Sequence, residues 1–82
     1  MDRIKVRLAK TGTGTFDCYN TKQEKVLTLA EGMTFTWLDD GEEDRGTIEI
    51  DRKGYYFTCA CEQGCVTYLY NGMEGYLDSA AI

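Results

Sequence analysis

Apolar residues recur at every second position of this chain in short runs, and each run is cut off by a glycine-rich or polar turn. Ile4, Val6 and Leu8 alternate with Arg3, Lys5 and Arg7, the pattern of a strand buried on one face. Phe16 to Tyr19 is a second, weaker strand, and Val26 to Leu29 is a short apolar run. Met33, Phe35 and Trp37 alternate with two threonines and form the clearest strand. Thr47 to Asp51, Tyr55 to Cys59, Val66 to Tyr70 and Gly75 to Leu77 continue the series. Turns fall at Thr11 to Thr15, Ala30-Glu31-Gly32, Glu62-Gln63-Gly64 and Asn71-Gly72. No helical period exceeds one turn near Ser79. The tail, Gly75 to Ile82, reads as a last strand, a tight turn and a terminal apolar anchor. The expectation is one all-β domain over residues 1–82: a small closed barrel of five to six strands with a short terminal helical turn.

One hairpin leaves its register open. Asp51-Arg52-Lys53-Gly54 has Asp first and Gly fourth, which favours a type I turn with a glycine bulge. Ile50 then opposes Tyr56, and Tyr56 and Thr58 share the core face with Ile48 and Ile50. Tyr55, Phe57 and Cys59 point outward. A two-residue loop swaps every one of these faces, because strand side chains alternate with a period of two. The turn chemistry favours the first register.

A chain of 82 residues supports one thin core. Hydrophobic content of 43% with 28% charge is globular, and the absence of proline argues against a proline-rich ligand segment or linker. No apolar run reaches the roughly 20 residues of a membrane-spanning helix. The N-terminus lacks the apolar core of a secretory signal, so a cytoplasmic location is expected, in a bacterium or a phage-infected host. The net charge of −5 is unevenly spread. Residues 1–25 carry six Lys/Arg and three Asp/Glu, and residues 26–82 carry three and eleven. A fold that keeps these parts separate has a dipolar surface, and its acidic side suits a basic partner better than nucleic acid.

The order of strand, Leu29-Ala30-Glu31-Gly32 turn, Trp-bearing strand, charged loop, hairpin and Gly75-Tyr76-Leu77-Asp78-Ser79 resembles the later part of Src-homology-3-like barrels. The resemblance covers roughly residues 26–82 and implies a small barrel with a one-turn terminal helix. Asp78 stands where that family has proline, and Ala81 where it has an aromatic residue, which argues against a proline-peptide groove. Gly46-Thr47-Ile48-Glu49, Gly54-Tyr55-Tyr56-Phe57 and Gly72-Met73-Glu74-Gly75-Tyr76-Leu77 also resemble short β-rich proteins of Gram-positive phages and mobile elements. That resemblance implies an accessory or host-interaction factor and no chemistry.

Four groups of residues are candidate sites. Asp39, Asp40, Glu42, Glu43 and Asp44 crowd what reads as an acidic loop, either solvated or imitating phosphate charge. Their order does not match a calcium loop. Six tyrosines, three phenylalanines and one tryptophan are many for so small a core. Tyr55, Phe57, Tyr68 and Tyr70 are the expected surface surplus, and exposed aromatics anchor protein interfaces. Arg3, Lys5 and Arg7 form a basic strip that, with Tyr19 nearby, suits single-stranded nucleic acid; otherwise it is ordinary outward alternation on a strand. Cys18, Cys59, Cys61 and Cys65 read as free thiols. A four-thiolate zinc site and a disulfide, within Cys59 to Cys65 or to Cys18, are the alternatives. With no histidine in the chain, a cysteine enzyme lacks its usual base. Thr11 to Thr15 leads into a strand rather than a helix, which suits a hairpin tip better than a phosphate cradle.

The sequence therefore points to a non-enzymatic protein-binding module without cofactor. Its expected interface is the acidic loop with Tyr55, Phe57 and Tyr70. A nucleic-acid-binding barrel using Arg3, Lys5 and Arg7 is the alternative.

Overall fold

A computed structural model describes residues 3–59 and 66–78. Every described element is a β-strand: β1 (Arg3–Lys10), β2 (Phe16–Tyr19), β3 (Lys25–Thr28), β4 (Thr34–Asp39), β5 (Glu42–Asp51), β6 (Gly54–Cys59), β7 (Val66–Tyr68) and β8 (Glu74–Asp78). They form one antiparallel sheet in the order β3-β2-β1-β8-β4-β5-β6-β7. The chain thus makes two meanders, β1 to β3 and β4 to β7, and β8 lies between them, pairing with β1 on one side and β4 on the other. The tail segment singled out by the sequence is the strand that joins the two halves.

The count of five to six strands is corrected to eight among the described residues, because even the three- and four-residue runs at the sheet margins pair with a neighbour. Closure is corrected too. β3 and β7 are the ends of the sheet order and do not pair with each other. The sheet instead coils until the rings of Phe16 on β2 and Tyr55 on β6 meet edge to face, 6.0 Å apart. There is no helix among the described residues, and the expected turn near Ser79 lies outside them.

The inner face explains the alternation. Val6, Leu8, Phe16, Cys18, Phe35, Ile48, Phe57 and Leu77 are buried, with Leu29, Leu69 and Met73 added from the connections. Phe57 stacks edge to face on both Phe35 and Trp37, at 6.0 and 6.2 Å between ring centres. Large apolar side chains of this kind contribute about 1.5–3 kcal/mol each on burial. Glycine is required where strands converge most closely. A Cβ on Gly75 would run into the Thr36 carbonyl and the Phe35 ring, and one on Gly46 into the Thr58 carbonyl.

The preferred β5–β6 register is also overturned. Ile50 opposes Tyr55 and Ile48 opposes Phe57, leaving Arg52 and Lys53 as a two-residue loop. Phe57 is 1% exposed rather than outward. Burying that ring opposite Ile48 outweighs the bulge preference of the turn. Asp51 still shapes the turn: its Oδ1 accepts the backbone N–H groups of Lys53 and Gly54 at 2.8 and 3.2 Å.

Residues Asp39 to Arg45 form a hairpin rather than a loop. Asp39 faces Glu42 and Trp37 faces Asp44, around a two-residue Asp40-Gly41 turn. Both turn residues have positive φ, 50° and 86°. Asp-Gly supplies this geometry readily, and its twist matches that of the strands it joins.

Candidate functional site

The exposed aromatic surface lies along β7. The Leu69 N–H donates to the Tyr55 carbonyl, and Thr67 faces Phe57. Ladder bonds alternate in an antiparallel pair, so Val66 and Tyr68 turn their backbone polar groups to the side away from β6. Val66, Tyr68 and Tyr70 are 55%, 41% and 50% exposed at alternate positions. No residue from 66 to 70 is charged, so this edge lacks the lysines and prolines that usually discourage added strands. The Tyr68 ring leans on Tyr56 with 5.7 Å between centres. Its hydroxyl donates to Asp51 Oδ2 at 2.5 Å. That bond is the leading cause of a raised Tyr68 pKa and a lowered Asp51 pKa.

Of the aromatic residues expected at the interface, Tyr70 is exposed, Tyr55 is half-buried at the seam against Phe16, and Phe57 is core. Val66 and Tyr56 went unrecognised. The signal was present: Val66-Thr67-Tyr68-Leu69-Tyr70 alternates large and small or buried residues without a charge.

The acidic hairpin tip is set off from this edge: β6 lies between them, and Glu43 is four residues, roughly 13 Å, along β5 from Thr47, which faces Thr58 and through it Val66. Asp39, Asp40 and Glu42 are exposed and make no ion pair among the described residues. Glu43 is engaged: the Arg3 guanidinium donates to its two carboxylate oxygens at 2.6 and 3.2 Å. This contact is the main cause of the lowered Glu43 pKa and the raised Arg3 pKa. Arg3 also lies 4.2 Å from the centre of the Tyr76 ring, and Arg45 donates to Asp78 at 3.1 Å.

Arg3, Lys5 and Arg7 are all exposed on the outer side of β1, as their alternation predicted. Arg7 faces Tyr19 on β2, and Tyr19 faces Lys25 on β3. Lys5, Arg7, Tyr19, Asn20, Gln23 and Glu74 line a groove of about 210 Å³. The structure therefore unites Lys5 and Arg7 with Tyr19 and commits Arg3 elsewhere.

Of the two described cysteines, Cys18 fits the free-thiol expectation and Cys59 departs from it. Cys59 is disulfide-bonded, and its partner lies outside the described residues, as Cys61 and Cys65 do. Cys18 is free and fully buried. Burial, with a smaller contribution from Asp17, pushes its thiol up to about 12. A disulfide sulfur and a buried neutral thiol are poor zinc ligands. Among the described residues no cluster of metal-ligating side chains forms. The Thr11 to Thr15 tip is a closed turn, with the Thr11 N–H donating to the Thr15 carbonyl at 2.9 Å and the two hydroxyls 2.7 Å apart.

No helix among the described residues is long and apolar enough to cross a membrane. Comparison with family models, with curated proteins and with solved structures finds no match for this chain.

Proposed function

We propose that the protein is a non-enzymatic module that binds another protein through the β6–β7 margin of its sheet. The observation that carries this reading is the uncharged run from β7 to Tyr70, along which Val66, Tyr68 and Tyr70 stand exposed at alternate positions. Such an edge accepts an extended segment of a partner as an added strand, with backbone hydrogen bonds for affinity and the tyrosines for selectivity. The exposed carboxylates of Asp39, Asp40 and Glu42 favour a partner with a basic surface and speed encounter at low salt. The resemblance to small phage and mobile-element proteins adds a biological setting, in which the bound protein belongs to the host.

Site-specific photo-crosslinking tests the reading. A crosslinking side chain at Tyr70 is expected to trap one stoichiometric partner from a Gram-positive lysate, whereas the same group at Lys22 is not. Val66→Lys and Tyr70→Glu are expected to abolish capture by tagged protein while the fold is kept. Equal trapping at both positions, or full capture by both variants, refutes the β7 interface.

A further inference from the structure

The outer face of β1, β2 and β3 carries a second arrangement, independent of the β7 edge. Lys25, Tyr19 and Arg7 stand in register on three neighbouring strands, so the aromatic position has a basic residue opposite it on each side. Lys5 extends the row along β1, and neither Lys5 nor Arg7 is ion-paired among the described residues. Lys25 is only loosely held, 3.6 Å from Asp17.

The ring sits in the groove of about 210 Å³ described above, whose far wall is the β2–β3 turn. That wall is set before any ligand arrives. Asn20 Oδ1 accepts the N–H groups of Lys22 and Glu24 at 2.9 Å each, and the Asn20 N–H donates to the Glu24 carbonyl at 2.9 Å. Little ordering cost is left for binding.

We infer that this groove binds single-stranded nucleic acid, with one base stacked on Tyr19 and the adjoining phosphates held by Lys5 and Arg7. A lone anion would use the cations and leave the ring idle. A duplex keeps its bases stacked and offers none to Tyr19. The site is narrower than the basic strip read from sequence, because Arg3 is bound to Glu43 and Tyr76. Glu74 faces Arg7 in register and borders the groove. With the net charge of −5 it limits affinity.

The test is fluorescence anisotropy of the full chain with a labelled oligothymidylate at low salt. Saturable binding is expected, with a log–log salt slope of about −1.4 for two phosphates. Tyr19→Leu is expected to weaken it about tenfold, and Tyr19→Phe to retain it. Arg7→Glu and Lys5→Glu are each expected to weaken it. Arg52→Glu, the same charge change at the distant β5–β6 turn, is not. Absence of saturable binding overturns the inference. Equal loss in Arg52→Glu and Arg7→Glu overturns it in favour of diffuse charge. Indifference to Tyr19→Leu, with polyphosphate competing as well as the oligonucleotide, overturns it in favour of simple anion binding. Circular dichroism of each variant separates lost binding from lost fold.

Discussion

Phe16 and Tyr55 meet with 6.0 Å between ring centres and 69° between ring planes, bridging the two halves of an open sheet where no described strand pairs with another. Side-chain packing here does what a hydrogen-bonded ladder does in a closed barrel. Phe16 is 2% exposed, so Phe16→Ala is expected to cost about 3–5 kcal/mol. A double-mutant cycle with Tyr55→Leu should return a coupling of about 1 kcal/mol. Urea titration measures both, and additive effects would mean that the rings do not fasten the seam.

Gly75 is the point at which β8 can lie close to both β1 and β4, opposite Val6 and Trp37. Gly75→Ala places a methyl group against the Thr36 carbonyl and the Phe35 ring. Neither can retreat, because one is paired backbone and the other is fully buried. The expected loss is at least the 1–3 kcal/mol typical of overpacking. Gly41→Ala at the hairpin tip meets open space but keeps a φ of 86°, so about 1 kcal/mol is expected there. Thermal melts of the two variants should rank in that order.

The Trp37 indole N–H is buried without a hydrogen-bond partner among the described residues. A donor stranded in this way costs about 1–3 kcal/mol of desolvation. Trp37→Phe removes the donor while keeping an aromatic ring beside Phe57, so it is expected to change stability by less than about 1 kcal/mol despite the smaller ring. Trp37→Ala loses the packing as well and should cost several-fold more. Chemical denaturation followed by circular dichroism measures both, since Trp37 is the only tryptophan.

Most of the strand positions were legible because Arg3, Lys5 and Arg7 alternate with Ile4, Val6 and Leu8 on β1, and Glu74, Tyr76 and Asp78 with Gly75 and Leu77 on β8. The failures have physical causes. Five acidic residues between 39 and 44 suggested a solvated loop and hid the Asp40-Gly41 turn, whose two positive φ values let the charged strands pair. At Asp51 to Gly54 a local turn preference competed with the burial of Phe57, and the core contact prevailed. Sheet closure depends on how far a coiled sheet carries Phe16 toward Tyr55, which no local pattern encodes. The candidate surfaces were half legible. Arg7 and Tyr19 were near in sequence-derived strands, but the engagement of Arg3 with Glu43 spans forty residues of chain.

Cys18 is a free thiol sealed inside the sheet, with its pKa pushed from 9.0 up to about 12 by burial first and by Asp17 second. A maleimide at mildly alkaline pH is expected to leave it unmodified in the native protein and to label it fully in denaturant. Because the folded value is raised, the stabilisation from the protonated thiol is complete below about pH 9 and is lost as pH climbs toward 12. Cys18→Ala should flatten that part of the alkaline limb. Rapid native labelling of Cys18, mapped by mass spectrometry, would contradict this placement.

Asp51 and Tyr68 titrate in opposite directions through the same hydrogen bond. The Asp51 carboxyl is held below its ordinary 3.8 by the Tyr68 hydroxyl and then by the Lys53 and Gly54 amides. Its contribution is therefore present above that value and is lost as pH falls through the lower folded value. Tyr68 is held above its ordinary 10.0, so its contribution is complete below pH 10 and is lost as pH rises through the folded value. Tyr68→Phe should lower the melting temperature modestly at neutral pH and less in strong alkali, where wild type has lost the bond as well. Asp51→Asn should narrow its deficit only in strong acid. Melting temperatures of the three proteins across pH measure this, and parallel curves would show that the pair carries no linked stability. If the β7 edge is the interface, the hydroxyl bond also orients the Tyr68 ring, and Tyr68→Phe should weaken partner capture without abolishing it.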